Sequence, residues 1–358
     1  MEIAAKQNSI NNVFITKNEL IILALTGRTG SGCSTVASIL RKEKFSDLNL
    51  CNPKTCGFSS TDERKYSIIY NYIKSKDNWV PFTVIQASSI ILSYVIDTSF
   101  KEFMNYLSRL RKNTESYSLE ISDFVSLGEK IKGIQYIFKD SKRYDLSGDI
   151  TYLLDPKDAD NEIKLDKYYR YYIEKLPKYK DRIKRILEDY TCYEYHKSRF
   201  EEPSRTRAQL YTFLMQNIGN NIRSSGNPFA DTPNQSNYYL VSERIDKVIR
   251  IVEAYNRQKN INSTRICIDA IRNPFEAFYF RSKYNNFNLV SVNTDDNDRK
   301  KRLSTLDEQE LDSLDRVEYP EKFSSDNEIF YHQNIGGCLE TSDIHLFNPN
   351  EDQKNLVS

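Results

Sequence analysis

Residues 20–35 decide the fold, and they have the sequence Leu-Ile-Ile-Leu-Ala-Leu-Thr-Gly-Arg-Thr-Gly-Ser-Gly-Cys-Ser-Thr. The apolar run that opens this stretch is typical of a buried β-strand, and an amphipathic segment follows its end. Between them Gly27 and Gly32 have the G-x-x-x-x-G spacing, with Gly30 inside it. Glycines leave backbone N–H groups accessible, and a helix beginning near Ser34 would direct its positive dipole end at an anion. The sequence therefore predicts a strand, a phosphate-binding loop and a helix.

The loop departs from the usual pattern at one position. Such loops normally carry a lysine just before the serine, where it reaches the β- and γ-phosphates, but this chain has Cys33 there. Ser34 falls where a hydroxyl would hold Mg²⁺. We expect the loop to bind a nucleoside or deoxynucleoside triphosphate with Mg²⁺. The residues expected at the nucleotide are Gly27, Arg28, Thr29, Gly30, Ser31, Gly32, Cys33, Ser34 and Thr35.

The composition limits the class of protein. The chain has 358 residues, with 51 Lys and Arg against 50 Asp and Glu, and this balance argues against a generally basic nucleic-acid-binding surface. The sequence shows no signal-peptide pattern, and no apolar run approaches the length of a membrane span. Six scattered cysteines favour free thiols in a reducing compartment. We expect a soluble, cytoplasmic protein that binds neither membrane nor nucleic acid.

The order of strand and helix signals predicts an α/β protein with a mainly parallel sheet and a large helical insertion. The expected divisions are a flexible arm at 1–18, the first half of the core at 19–99, the insertion at 100–205, the second half of the core at 206–350 and a polar tail at 351–358.

Tyrosines and basic residues dominate the insertion. Leu165, Tyr168 and Tyr172 lie on one helical stripe, which Tyr179 and Ile183 resume after Pro177, so we expect two helices with a break at the proline. Tyrosines on an apolar stripe favour packing in a core or between subunits, and the insertion could therefore mediate homo-oligomers. The alternative is that the rings stack on bases while the cations meet phosphates.

Two cationic segments of the second half could reach the loop. Arg223 lies at the end of a helix predicted over 207–223, where an arginine can be a solvated surface residue or a phosphate ligand. Arg302 ends the charged run at 295–302, which can be a solvated helix face or a segment that folds over phosphates.

The predicted strand 264–269 ends in a carboxylate. Ligands of open α/β sheets bind beyond the carboxyl ends of the strands, so Asp269, Arg272, Asn273 and Glu276 would project towards the loop. Asn273 and Pro274 are typical of a helix start. Further strands are expected over 287–293 and 342–348.

Segments 27–35, 216–223, 268–277 and 342–348 together resemble the P-loop domain of the bacterial antiphage cytidine deaminases. The motif Asp-x-x-Arg-Asn-Pro-x-Glu at 269–276 is the most specific of the four. That domain is similar to deoxynucleoside monophosphate kinases and to dephospho-coenzyme A kinase. The resemblance implies a P-loop NTPase three-layer sandwich of the nucleotide-kinase type. It also implies that Asp269 and Arg272 lie near the acceptor or metal as catalytic residues, and that Arg223 contacts a monophosphate-like group.

The deaminase that follows this domain in the resembling proteins is absent from the sequence. Its signature needs His-x-Glu and Pro-Cys-x-x-Cys, and none of the histidines His196, His332 and His345 stands in such a pattern. The resemblance then implies a regulatory module of an antiphage or nucleotide-metabolism system, which binds a nucleotide and gates a deaminase, another effector domain or a partner. The alternative is an active nucleotide kinase or NTPase in which Arg28, Arg272 or Arg302 replaces the lysine.

Overall fold

The structure of the chain is a computed structural model. The structure describes residues 20–55, 60–75, 78–113, 128–144, 159–197, 210–230, 232–261, 263–304, 306, 308–320, 323 and 327–349. The expected arm and tail lie outside these residues.

A sheet of five parallel strands forms the centre of the protein, in the spatial order β2-β3-β1-β4-β5. The strands are β1 (Leu20–Thr26), β2 (Thr83–Gln86), β3 (Thr264–Asp269), β4 (Phe287–Asn293) and β5 (Ile344–Phe347). The predicted strand 264–269 and the predicted strand 287–293 are confirmed with the bounds expected of them. β1 is the middle strand, so the glycine loop at its carboxyl end lies at the centre of the sheet edge.

The helices before the second half of the core are α1 (Cys33–Leu40), α2 (Thr61–Lys74), α3 (Ala87–Asp97), α4 (Phe100–Asn113), α5 (Gly128–Ser141), α6 (Ala159–Tyr169) and α7 (Leu176–Lys197). Those that follow are α8 (Leu210–Ser225), α9 (Leu240–Gln258), α10 (Pro274–Lys283), α11 (Asp296–Arg302), α12 (Glu308–Glu318), α13 (Glu328–Tyr331) and α14 (Ile335–Glu340).

Helices cover both faces of the sheet. Successive residues of a strand point to opposite faces, so Ile22 and Ala24 pack in one apolar cluster while Leu25 packs in another. The first cluster joins the sheet to α3, α7, α8 and α9, and the second joins it to α1. Burial of each Ile or Leu side chain contributes about 1.5–3 kcal/mol. The architecture is therefore α/β with an all-parallel sheet, as the order of sequence signals predicted.

The apolar stretch at 79–96 forms a short strand and a longer helix, a division that its sequence pattern did not resolve. The strand-like segment 79–85 gives only the short β2, and the ambiguous run 90–96 lies inside α3. Nearly every side chain of α3 is buried, including Ile90, Leu92 and Val95. A helix buried on all sides loses the amphipathic period, which explains why the pattern could not separate it from a strand.

The break expected at Pro177 is wrong. The chain stays helical from α6 through a π-helical turn, Arg170–Lys175, into α7. The N–H of Leu176 donates to the carbonyl of Tyr171, five residues earlier. This wider turn just before the proline accommodates its ring and its missing N–H without ending the helix.

The insertion tyrosines pack in the interior. Tyr168, Tyr172 and Tyr179 are at most 7% exposed, so the packing predicted for the apolar stripe is confirmed for them. Tyr171, which lies off that stripe, is 1% exposed, and none of the four rings is available to stack on bases. Tyr169 stacks on Tyr255 of α9, with 3.8 Å between ring centroids.

The cysteines differ in part from the expectation of free thiols. Cys33, Cys267 and Cys338 are free, but Cys51 is disulfide-bonded, so the expectation is wrong for Cys51. Within the described part of the chain, no helix combines the length and the apolar character needed to cross a membrane.

Candidate functional site

A cavity of about 550 Å³ opens at the carboxyl ends of β1 and β3, between the glycine loop, the N-terminus of α3 and the helices α7 and α8. Its size is that of a small-molecule or cofactor site. Twelve of the predicted site residues line it, and Ser31, Asn273 and Glu276 do not. Ser31 is 2% exposed; Asn273 and Glu276, which the sequence places towards the loop, are buried at 0% and 5% exposure, so that expectation is wrong for them. The lining set drawn from the predictions is Gly27, Arg28, Thr29, Gly30, Gly32, Cys33, Ser34, Thr35, Arg223, Asp269, Arg272 and Arg302.

Two glycines allow the backbone conformation of the loop. Gly30 has φ 88° and Gly32 has φ 107°, a left-handed region in which L side chains are strained. A Cβ on Gly32 would lie 2.1 Å from Nδ2 of Asn348, and one on Gly30 would lie 2.9 Å from Leu303. These glycines therefore let the chain turn into α1 while other segments pack directly against the loop.

The first turn of α1 faces the cavity. Gly32 is its N-cap residue and supplies no side-chain hydrogen bond, so the N–H groups of Cys33, Ser34 and Thr35 gain no cap from it. A helix also lacks internal acceptors for its first N–H groups. All three residues line the cavity. Donors of this kind, at the positive end of the helix dipole, suit an anion.

A hydroxyl and a carboxylate meet in the wall of the cavity. The Ser34 hydroxyl donates to Oδ2 of Asp269 at 3.0 Å. Asp269 is the last residue of β3 and is in register with Leu25, two residues before the loop. Burial raises the pKa of Asp269, while the hydrogen bond from Ser34 and the nearby charges of Lys180 and Arg272 oppose that rise.

These two oxygen ligands fit magnesium that arrives with a phosphate ligand. Mg²⁺ keeps several waters and takes only one or two carboxylates together with substrate phosphates, so Ser34 and Asp269 could supply its protein contacts. Within the described residues, no group of three or more His, Cys, Asp or Glu side chains could hold a metal by itself. The arrangement is thus incomplete without oxygens from a ligand.

Glu318, which the sequence did not indicate as a site residue, forms hydrogen bonds with the loop. Its carboxylate is fully buried and accepts hydrogen bonds from the N–H of Thr29, at 3.0 and 3.3 Å, and from the Thr29 hydroxyl. Arg272 forms a salt bridge with the same carboxylate. Burial alone would lower the pKa of Arg272, but Glu318 holds it above its ordinary value. The N–H of Thr29 is therefore engaged within the protein, and the charge of Arg272 is paired.

Arg302 and Asn348 form hydrogen bonds with the loop backbone. The Arg302 guanidinium donates to the carbonyls of Gly30 and Ser31, at 3.3 and 3.2 Å, and to those of Asn348 and Pro349, at 2.9 and 3.0 Å. The Asn348 amide donates to the carbonyl of Ser31 at 2.8 Å. Arg302 thus lies at the cavity as predicted, and it is anchored on the loop backbone.

Arg223 is a buried residue, so the interpretation as a solvated surface arginine is wrong. It is 3% exposed, and its Nε donates to Glu276 at 2.8 Å. Glu276 comes from the first turn of α10 and is 5% exposed. The helix that carries Arg223 packs against the core through Leu214, Ile218 and Ile222, which turns this arginine inward.

Cys33 is a neutral thiol at physiological pH. Burial raises its pKa to about 11, and a contact of 3.6 Å with the Ser31 hydroxyl opposes the rise only in part. A protonated thiol supplies no charge to a phosphate and is a weak nucleophile. The position that normally supplies a cation therefore contributes none.

Two buried amide atoms in the cavity wall lack partners. Among the described residues, Nε2 of Gln216 and Oε1 of Gln333 make no hydrogen bond, and both side chains line the cavity. Gln333 is 3% exposed. Buried polar groups are normally paired, and an unpaired group costs about 1–3 kcal/mol. An unpaired donor and an unpaired acceptor in one cavity fit a polar ligand.

Sequence reasoning also missed Lys180, which lines the cavity from α7. It belongs to a helix of the insertion that is rich in lysine, arginine and tyrosine, where no pattern distinguishes it from its neighbours. The path of α7 over the sheet brings it to the cavity, and this path is visible only in the tertiary structure.

Comparisons of the chain with protein-family models, with curated proteins and with solved structures return no significant match.

Proposed function

We propose that this protein is a P-loop nucleotide-binding module that binds a nucleoside or deoxynucleoside triphosphate together with Mg²⁺. The observation that carries the proposal is the meeting of Ser34 and Asp269 at the end of a glycine loop. Nucleotide-binding loops need a metal-binding hydroxyl at that place and a carboxylate on the adjacent strand.

The surroundings of this pair support the proposal. The loop follows the middle strand of a parallel sheet, at the edge where open α/β sheets bind their ligands. The first turn of α1 offers N–H donors to phosphates, and Gln216 and Gln333 offer a donor and an acceptor to a more distant part of the ligand. The strand order and the loop also support a nucleotide-kinase-like three-layer sandwich.

The proposed role is regulatory: nucleotide binding gates an effector domain or partner, in an antiphage or nucleotide-metabolism system. The neutral Cys33 supports this role, because phosphoryl transfer depends on neutralising charge on the transferring group. The resemblance to the P-loop domain of antiphage deaminases supports a deaminase as one candidate partner.

The alternative is an active nucleotide kinase or NTPase with an arginine in place of the loop lysine. The arginines that line the cavity are all held by protein groups. Arg28 pairs with Asp296, Arg272 pairs with Glu318, and Arg302 bonds backbone carbonyls. An arginine so engaged would have to leave its partners to meet a phosphate, so the regulatory role has more support.

A melting-temperature screen with the four NTPs and the four dNTPs, each with and without Mg²⁺, tests the proposal. A ligand at 100 times its Kd stabilises the folded state by about 2.7 kcal/mol, which raises the melting temperature by several degrees. We expect such a rise for at least one triphosphate with Mg²⁺. Assays of phosphate release, and of transfer to nucleoside monophosphates, then decide between the two roles: turnover that Arg272→Ala abolishes would favour the enzyme.

A further inference from the structure

The cavity gathers more positive charge than the loop itself provides. Five cationic side chains line it, and the protein already engages the four arginines: three are paired with carboxylates and one is bonded to backbone carbonyls. These four are Arg28, Arg223, Arg272 and Arg302. The fifth cation is Lys180, whose surroundings differ.

Lys180 lies near Asp269, one of the proposed metal ligands. Its Nζ donates to Oε1 of Gln86 at 2.9 Å, and Gln86 is in register with Asp269 on the neighbouring strand. The charge of Lys180 acts on Asp269, where it opposes the rise in pKa that burial causes. Lys180 therefore stands at the sheet edge where the first turn of α1 and Asp269 also meet the cavity.

The ammonium of Lys180 has capacity for a ligand. Its side chain is 15% exposed, and Asp181 lies at 3.3 Å as an exposed ion-pair partner. Among the described residues, Gln86 and Asp181 are its two polar partners, whereas an ammonium carries three N–H donors. Asp181 is 58% exposed, and an ion pair with an exposed carboxylate contributes little free energy, so it does little to hold the ammonium away from a phosphate.

We propose that Lys180, reaching across the cavity from the helical insertion, is the cation that contacts the phosphates of the bound ligand, at the charge position that Cys33 leaves empty in the loop. This inference rests on the proposed nucleotide site. It makes the insertion part of that site, because α7 brings the charge that the loop lacks.

Calorimetric titration of the full chain with Mg²⁺ and ATP, and separately with Mg²⁺ and inorganic tripolyphosphate, tests the inference. Lys180→Gln removes the charge but keeps a donor for Gln86, and Lys180→Arg keeps the charge. Lys178→Gln is the matched control, because Lys178 is an exposed lysine half a turn away on the same helix. We expect Lys180→Gln to weaken binding of both ligands by about tenfold or more, as for a lost hydrogen bond to a charged group, and Lys178→Gln to leave both affinities unchanged.

Restoring the lost charge at another position shows whether Lys180 binds the ligand or only supports the structure. We expect Cys33→Lys in the Lys180→Gln background to regain affinity, because it returns the charge to the loop, and Lys180→Arg to retain most of the affinity. The inference would be overturned if Lys180→Gln bound the ligands as tightly as the unaltered protein. Equal losses of affinity in Lys178→Gln and Lys180→Gln, or a failure of Cys33→Lys to restore binding, would also overturn it. If the unaltered protein binds neither these two probes nor any triphosphate of the screen, the proposed function itself is wrong.

Discussion

The Ser34 hydroxyl donates a 3.0 Å hydrogen bond to Asp269, although 235 positions separate the two residues in the chain. The bond joins the first turn of α1 to the last residue of β3. Parallel pairing of β1 with β3 creates this meeting, because it sets Leu25 opposite Asp269. Both groups carry oxygens that Mg²⁺ accepts as ligands. The pair is the basis of the metal-dependent binding that we propose.

Replacement of Asp269 by asparagine should remove the metal-dependent part of nucleotide affinity. The amide is nearly isosteric, but it lacks the charge that attracts Mg²⁺. We expect the affinity of Asp269→Asn for a triphosphate to become nearly independent of Mg²⁺, while the loop N–H groups preserve weak binding. Calorimetric titration with and without Mg²⁺ measures this. Asp312→Asn, at an exposed position of α12, is the control and should retain the full magnesium effect.

The gain in triphosphate affinity that Mg²⁺ provides should also depend on pH. Burial raises the pKa of Asp269, so this residue holds its proton at a higher pH than an ordinary aspartate, whose pKa is about 3.9. Metal binding needs the carboxylate, and affinity should therefore fall as the pH is lowered towards the raised pKa. Nucleotide phosphates titrate as well, but equally for both proteins. The ratio of the affinities of the unaltered protein and Asp269→Asn should shrink as the pH is lowered; a constant ratio would contradict this.

Removal of one charge from the buried pair Arg223–Glu276 should strongly destabilise the protein. Glu276→Gln leaves a guanidinium that is 3% exposed without its carboxylate, which typically costs about 3–5 kcal/mol. The double variant Arg223→Met/Glu276→Leu should recover most of this loss. Urea denaturation measures both effects. The control is Glu253→Gln in the exposed pair with Arg257, where about 0.5 kcal/mol or less is expected. A loss as small as the control's would show that the buried pair is dispensable.

Asn273 should matter for stability rather than for binding. Its Oδ1 caps α10 by accepting from the N–H of Phe275 at 2.8 Å, and its Nδ2 donates to the carbonyls of Ile329 and His332 at 3.0 and 2.7 Å. Asn273→Ala removes the cap and leaves two carbonyls without this donor, so a loss of about 1–3 kcal/mol is expected in urea denaturation. Nucleotide affinity of the folded variant should not change. Asn273→Asp should lose stability as well, because it keeps the cap but places an anion against two carbonyls.

The sequence predicted those parts of the site that depend on local pattern. The loop, the carboxylate at the end of β3 and the cap at Asn273 each follow from a few neighbouring residues, and parallel strands bring their carboxyl ends to one edge. The inward orientation of the Arg223 side chain could not be predicted, because its partner Glu276 lies 53 positions away. Glu318 and Lys180 belong to charged helices, and only the packing of α12 and α7 selects these two side chains for the loop and the cavity.

Calorimetric titration of the unaltered protein with NTPs and dNTPs in the presence of Mg²⁺ tests the central proposal most directly. The account predicts saturable binding of one triphosphate per chain, with an affinity that falls when Mg²⁺ is removed and falls again in Asp269→Asn. Absence of binding across all of the NTPs and dNTPs, in a protein that melts cooperatively, would contradict it.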